Sequence, residues 1–369
     1  MKIQFILTAA LCAFTFLPVR VDAAALAYTV TDLGTLGGNS SNGFGINASA
    51  QVVGQSLATG DSVYHPVRWT DATPTQLSTL GSSNWFSQGL GINTSGQVAG
   101  YSQTTVDGGR HAVRWTGTTP TDLGSLGGNS YGYGINVSGQ VAGQSDLPDS
   151  HSHAVRWTGT TAEDLGTLGG SNSGGIGINT SGQVAGTSYI TGNSVVHAVR
   201  WTGTIATDLG TLGGSDSNGF GINASGQVAG ISDITGDGAS HAVRWTGTTP
   251  TDLGTLGGTN SQGFGINNFG DVTGMSYLAD NVTRHAFLYT GGTMYDLFTL
   301  LLLGSGVTNL AVSNVGGNIN DLGQIAATGT IGGQTHALRL DPVATPEPTS
   351  AALLLGGGIL ICLRHRRTA

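Results

Sequence analysis

Apolar residues along this chain fall into short runs separated by polar turns rich in Gly, Asn, Ser and Thr, and the runs recur in a fixed order. The most regular run, HAVRWTG, begins at His111, His153, His197 and His241, with variants at His65, His285 and His336. The aromatic residue that follows keeps step. Trp69, Trp115, Trp157, Trp201, Trp245 and Tyr289 lie 46, 42, 44, 44 and 44 residues apart, and Leu340 holds the place in the last copy. A period of this length marks a repeat architecture.

Each copy contains four strand candidates. The first reads FGIN or GIGIN and ends at Asn47, Asn93, Asn136, Asn179, Asn223, Asn267 and Asn320. An N-x-S-G turn follows in most copies, and glycine at its fourth position suits a hairpin that closes in a left-handed residue. The second strand reads QVAG, the third HAVRW after a variable loop, and the fourth DLGTL after a turn such as Thr-Gly-Thr-Thr-Pro. Strand lengths and turn punctuation predict an all-β protein, and the repeat region shows no helical period.

Counting strands predicts the topology. The DLGTL run occurs at Leu33, Leu77, Leu123, Leu165, Leu209, Leu253 and Leu297, and its first copy precedes every other strand, whereas the last repeat stops at Leu340 without one. The orphan strand at residues 28–38 therefore completes the unit begun at 317–340. The expected fold is a seven-bladed β-propeller of four-stranded blades, the last closed by the N-terminal strand, because ring closure protects sheet edges. A β-solenoid or prism is the alternative, but an open solenoid would begin and end on whole units with atypical caps.

Composition narrows the class. With 63 Gly in 369 residues and 9% charged residues, but 38% hydrophobic residues placed periodically, the chain is not disordered. From Tyr28 to Thr345 it carries 18 Asp and one Glu against 8 Arg and no Lys, a net charge of about −11, which argues against a nucleic-acid partner. The two cysteines, Cys12 and Cys362, lie near the chain ends, so no disulfide is expected in the repeat domain.

Both ends read as addresses. Residues 1–27, with Lys2, an apolar run from Ile3 to Leu17 and the small residues of 23–27, have the form of a secretory signal peptide. The repeat domain is expected over 28–342. Residues 343–369 hold Pro346-Glu347-Pro348, an apolar run from Ala351 to Leu363, and a basic end with Arg364, Arg366 and Arg367. That run is shorter than the ~20 residues of a full membrane span, and its arginines are expected to stay cytoplasmic.

This tail resembles the PEP-CTERM sorting signal of Gram-negative bacteria, with its three parts in order; Thr345 stands where valine is frequent. The resemblance implies an exosortase-type processing enzyme as partner, transient inner-membrane anchoring, and final residence at the cell surface or in an exopolysaccharide matrix. The repeats resemble the HAF family of extracellular repeats. His285-Ala286-Phe287 matches its signature literally, and the other copies read His-Ala-Val, His-Ala-Leu or His65-Pro66-Val67. That resemblance implies a secreted repeat protein and brings no catalytic residues.

Several strings imitate catalytic motifs. Gly128-Asn129-Ser130-Tyr131-Gly132 matches G-x-S-x-G without a strand-to-helix elbow, and Gly219 to Ala224 imitates a dinucleotide fingerprint but leads into a hairpin instead of a helix. The repeat histidines are expected to bond a neighbouring loop or turn rather than gather round a metal. His151 and His153 are a closer pair. The asparagines of the N-x-S turns are explained by turn geometry, and repeat Arg and Asp, such as Arg114 and Asp122, are expected to pair across the third and fourth strands.

Function is expected where the copies differ. The second-to-third loops and the linkers share one face and carry Asp61, Tyr64, Asp107, Asp149, Asp233, Asp237 and Asp280, with Trp85, Phe86 and Tyr131 in linkers. Aromatic platforms beside acidic and amide groups suit sugars or a bound cation. The expected function is non-enzymatic binding of exopolysaccharide or a surface protein, with a ligand-free scaffold as the alternative and an extracellular glycan hydrolase or lyase as a weaker one. No catalytic residue, cofactor or metal site is expected; calcium is compatible with the loops but no motif indicates it.

Overall fold

The computed structural model describes residues 26–60, 62–81, 87–105 and 108–343. The expected signal peptide, apart from its last two residues, and the PEP-CTERM-like segment beyond Val343 lie outside the described residues. Within them all regular structure is β, with no helix. Strands pair antiparallel in groups of four. Five groups are separate sheets, spanning 88–122, 130–164, 169–208, 213–252 and 257–296. Two more, 37–76 and 307–343, are joined by one parallel bridge between Ser40 and Thr335. In the latter, Ala27–Asp32 is the fourth strand, running antiparallel to Gln334–Val343 from Ala27 opposite Val343 to Asp32 opposite Leu338. The sheets follow one another as the blades of a propeller.

Strand boundaries differ from the sequence pattern at two places. The fourth strand lies earlier than DLGTL: it is Thr119–Asp122 in the 88–122 sheet, and Gly124, at φ 69°, turns the chain out of the ladder just after Asp122. The first strand reaches back through the Gly-Gly pair in four sheets, as in Gly37–Ile46. In the 307–343 sheet, by contrast, the innermost strand is Val307–Ala311, and Ile319 makes only an isolated bridge to Ile325.

The core lies between sheets. Ala142 and Ala154 of one blade pack against Leu165, Ile178, Val184, Val199 and Trp201 of the next, and the same small-against-large arrangement recurs at neighbouring junctions. It recurs where the 307–343 and 37–76 sheets meet, with Ala326 and Ala337 against Leu33, Val52, Val67 and Trp69. The tryptophan fits because the second strand offers glycine beneath it. A Cβ on Gly143 would fall 3.0 Å from the Trp157 ring, and well inside contact distance of the Tyr131 carbonyl.

Polar ties reinforce each junction. Ser173 Oγ donates to the Gly166 carbonyl (2.7 Å) and accepts from Ala154 N–H (2.9 Å), and Ser41 does the same to Gly34 and Ala337 across the chain ends. Arg68, Arg114, Arg156, Arg200 and Arg244 each donate to a glycine carbonyl in the next blade's first turn, at 2.6–2.9 Å. Leu288 replaces this arginine in the 257–296 sheet, where the junction instead rests on a larger apolar cluster including Tyr28, Phe264 and Leu310.

The asparagine that opens each first turn does more than form it. Asn136 Oδ1 accepts from Ser138 and Gln140 N–H, while its Nδ2 donates to Gln140 Oε1 and to the Asn179 carbonyl of the next blade. The relay passes Asn47 to Asn93, Asn136, Asn179, Asn223, Asn267 and Asn320, and Asn320 returns it to the Asn47 carbonyl at 2.9 Å.

Three substitutions test this packing. Trp201→Ala is expected to destabilise the domain by about 3–5 kcal/mol, as for a fully buried aromatic. Asn179→Ala strands buried turn groups and is expected to cost about 1–3 kcal/mol, whereas Ser181→Ala at the same turn, where the backbone N–H is the donor, leaves denaturant unfolding nearly unchanged.

Candidate functional site

The two ends of the propeller differ in chemistry. At the end formed by the first turns, a shallow bowl of about 210 Å³ is lined by the residues that lead into each turn, from Ile46 and Asn47 round to Ile319 and Asn320. Beneath it the channel narrows to about 100 Å³ between isoleucines and the axial glycines Gly91, Gly134, Gly177 and Gly221. A Cβ on Gly134 would stand 2.6 Å from the Ile176 carbonyl, so glycine is what lets the inner strands converge. The amides of the bowl are already engaged in the relay.

The repeat histidines are structural pins. His111, His153, His197, His241, His285 and His336 each place Nδ1 2.7–3.0 Å from the carboxylate of Asp122, Asp164, Asp208, Asp252, Asp296 and Asp32. The partner lies on the fourth strand of the same sheet rather than in a following loop. His65 pairs with Gln76 instead. The carboxylates also accept the backbone N–H two residues on, as Gly124 donates to Asp122. This use of aspartate overturns the expected pairing of Arg114 with Asp122. Register sets Val113 opposite Asp122 and Arg114 opposite Thr121, so the two side chains leave opposite faces of the sheet. Where glutamate replaces that threonine, an ion pair forms: Arg156 Nη2 lies 2.6 Å from Glu163.

Ser130, of the G-x-S-x-G string, is buried and serves as a junction tie, donating to Gly124 O and accepting from Ala112 N–H. The Gly219–Ala224 string runs along an inner strand into its turn. No group of three or more His, Cys, Asp or Glu side chains placed to hold a metal occurs among the described residues.

The varied-face candidates are spread over several blades. Trp85, Phe86, Asp107 and Asp61 lie outside the described residues, as do Pro346, Glu347, Pro348, Arg364, Arg366 and Arg367. Tyr131 belongs to the inner strand Ser130–Ile135 rather than to a linker. Its ring meets Tyr101 edge-on at 5.1 Å and stacks on Tyr133 at 6.5 Å. Burial raises the Tyr133 and Tyr101 phenols above their ordinary range.

The aspartates are engaged within their own sheets. Asp233 lies in the strand Val228–Ile234, not in a loop, and accepts from the Ser240 hydroxyl. Asp237, at φ 54°, accepts from Ser215 N–H (2.7 Å) and hydroxyl (2.8 Å). Asp280 caps Val282 and Thr283, and Asp149 pairs with His151 at 3.0 Å. These bonds hold all three turn carboxylates below the usual carboxylate range: His151 acts on Asp149, Ser215 on Asp237 and Thr283 on Asp280.

A different site opens on this face. A cleft of about 410 Å³ lies where the 130–164, 169–208 and 213–252 sheets meet, lined by Gln144, Asn172, Gly174, Thr187, Tyr189 and Asn218 among others. These residues come from three repeats and form no local motif. The signal in the sequence is a single departure from the repeat, a glycine at position 174 where the neighbouring copies carry Tyr131 and Asn218.

No protein-family model and no curated protein matches the chain. Among solved structures it is similar to a puromycin-hydrolysing peptidase of Mycobacterium tuberculosis, at 11% identity over 86% of this chain and 55% of that one, with a TM-score of 0.51. A putative TolB from Agrobacterium tumefaciens aligns at 13% identity over 73% of this chain and 95% of that one, TM-score 0.49. The β-propeller domain of the trilobed protease from Pyrococcus furiosus aligns at 9% identity over 70% and 98%, TM-score 0.38. The likeness is one of fold alone; the successive four-stranded sheets and the return of the relay from Asn320 to Asn47 make this an all-β protein of the propeller type.

The turn carboxylates give a pH prediction. Because their folded-state values are depressed, their contribution to loop order is complete above the ordinary aspartate range and is lost as pH falls through the depressed values. Carboxyl NMR titration is expected to place the midpoints of Asp149, Asp237 and Asp280 below the ordinary aspartate value; midpoints at or above it would show that the turn bonds do not persist in solution.

Proposed function

We propose that this chain is an exported, non-enzymatic binding module: a closed seven-bladed propeller, sealed by its N-terminal strand, that holds exopolysaccharide or a surface protein on its varied face. The asparagine relay, with seven members and a return from Asn320 to Asn47, supports the blade count. The PEP-CTERM-like tail and the HAF-like repeats support export, exosortase processing, transient inner-membrane anchoring and residence at the surface or in the matrix of a Gram-negative bacterium. No cofactor enters this reading.

The observation that carries the binding role is the contrast between the ends. Repeat after repeat, the amides of the first-turn end are spent on the ring, whereas the varied end holds an open polar cleft. A ligand-free scaffold of the envelope or matrix is the second reading, favoured by loop aspartates already engaged in bonds within their own sheets. Full-length protein applied to a glycan array and to exopolysaccharide from the producing cells, with calcium and with chelator, is expected to show saturable binding in both conditions. A blank on folded protein, together with no surface-protein partner, would establish the scaffold instead.

A further inference from the structure

At one register position the first and second strands of successive sheets present a cross-strand pair: Asn42 with Gln55, Gln88 with Tyr101, Tyr131 with Gln144, Gly174 with Thr187, Asn218 with Ile231, and Gln262 with Met275. In the early blades these side chains close on one another. Gln88 Nε2 donates to Gln55 Oε1 at 2.6 Å, the Tyr101 hydroxyl donates to Gln88 Oε1 at 2.8 Å, and Arg110 donates to the Tyr131 hydroxyl at 3.2 Å. The array is filled and internally bonded there.

Gly174 interrupts it. The missing side chain leaves the cleft between Gln144 on one side and Thr187, Tyr189 and Asn218 on the other. Backbone conformation does not demand glycine at this position: its φ is not left-handed, and an added Cβ would meet only Gln144 Oε1, at 3.0 Å. Most inner-strand glycines in this protein face backbone carbonyls instead. Among the described residues, the side chains of Gln144, Thr187, Tyr189 and Asn218 have no hydrogen-bond partner, so two amides and two hydroxyls converge on one gap with their capacity unspent.

We infer that this cleft is a binding subsite for an uncharged sugar unit. No charged side chain lines it, so neither an anion nor a cation finds a counter-charge. A polyhydroxylated ring both donates and accepts, as the lining amides and hydroxyls do, and the Tyr189 ring offers an apolar surface to its C–H face. The volume lies within the ~300–1,000 Å³ of small-molecule sites. The assignment rests on the reading that the varied face binds polysaccharide, and it names the place and the chemical class.

Full-length protein is titrated by calorimetry and saturation-transfer NMR with neutral trisaccharides of glucose, mannose and galactose, with glucuronate-containing counterparts and with exopolysaccharide from the producing cells. At least one neutral probe is expected to bind, and Gly174→Gln is expected to weaken it about tenfold or more by filling the gap. Glutamine occupies the same register at Gln88 and Gln262, so the variant keeps the fold; an unchanged melting temperature checks this. Ser181→Ala, at the opposite, first-turn end, is expected to bind as the parent does. Equal binding by parent and Gly174→Gln would overturn the subsite while leaving the face a binder, and preference for glucuronate would overturn the neutral class. Binding of no probe and no exopolysaccharide would remove the subsite together with the polysaccharide reading on which it rests.

Discussion

A buried asparagine amide with no complete set of partners inside its own sheet governs how each blade meets the next. Asn136 is 4% exposed. Its oxygen and one of its amide hydrogens are satisfied in its own hairpin, and the other hydrogen reaches the Asn179 carbonyl. Leaving such a group unpaired away from water costs on the order of 1–3 kcal/mol. An open stack would strand one asparagine at its end; a ring strands none. The small-against-large packing of alanine pairs on tryptophan obeys the same logic, since each sheet has one face of each kind and is complete only between two neighbours.

Much of this was legible in the sequence because the repeat makes every local feature visible several times. The strand order, the all-β class and the pairing of the first strand with the last follow from counting HAVRW and DLGTL runs. Boundaries were less legible. DLGTL reads as a strand because its leucines are apolar, yet those leucines, such as Leu123, are core residues of the exit from the blade, and the ladder ends at the aspartate. The Asn-x-Ser pattern marks a hairpin turn, but nothing local shows that Asn136 also faces Asn179, because that contact spans 43 residues. Pairing Arg114 with Asp122 failed on register, which a shift of one residue inverts.

The candidate site was legible only as a face. Aspartates attract notice in a sequence with few charges, but Asp280 has the short acceptor side chain that its own turn requires, and Asp237 reaches back to Ser215 on the first strand of the same sheet. The cleft at Gly174 escapes a motif search for a physical reason. Its walls come from three repeats, its polar groups are common amides and hydroxyls, and its defining feature is a side chain that is missing.

The recurring asparagine, serine and arginine ties between blades share a property beyond stability. Those made by Asn136, Ser173 and Arg114 all end on main-chain atoms of the neighbouring blade: the Asn179 carbonyl, the Ala154 N–H and the Gly139 carbonyl. Main-chain atoms are the same whatever side chains a neighbour carries, so one copy fits beside almost any other. Repeats joined in this way can be shuffled, duplicated or replaced by a gene without redesigning an interface, and the loops they carry can diversify freely. Copy number alone is restricted, because the last amide must still find the first carbonyl.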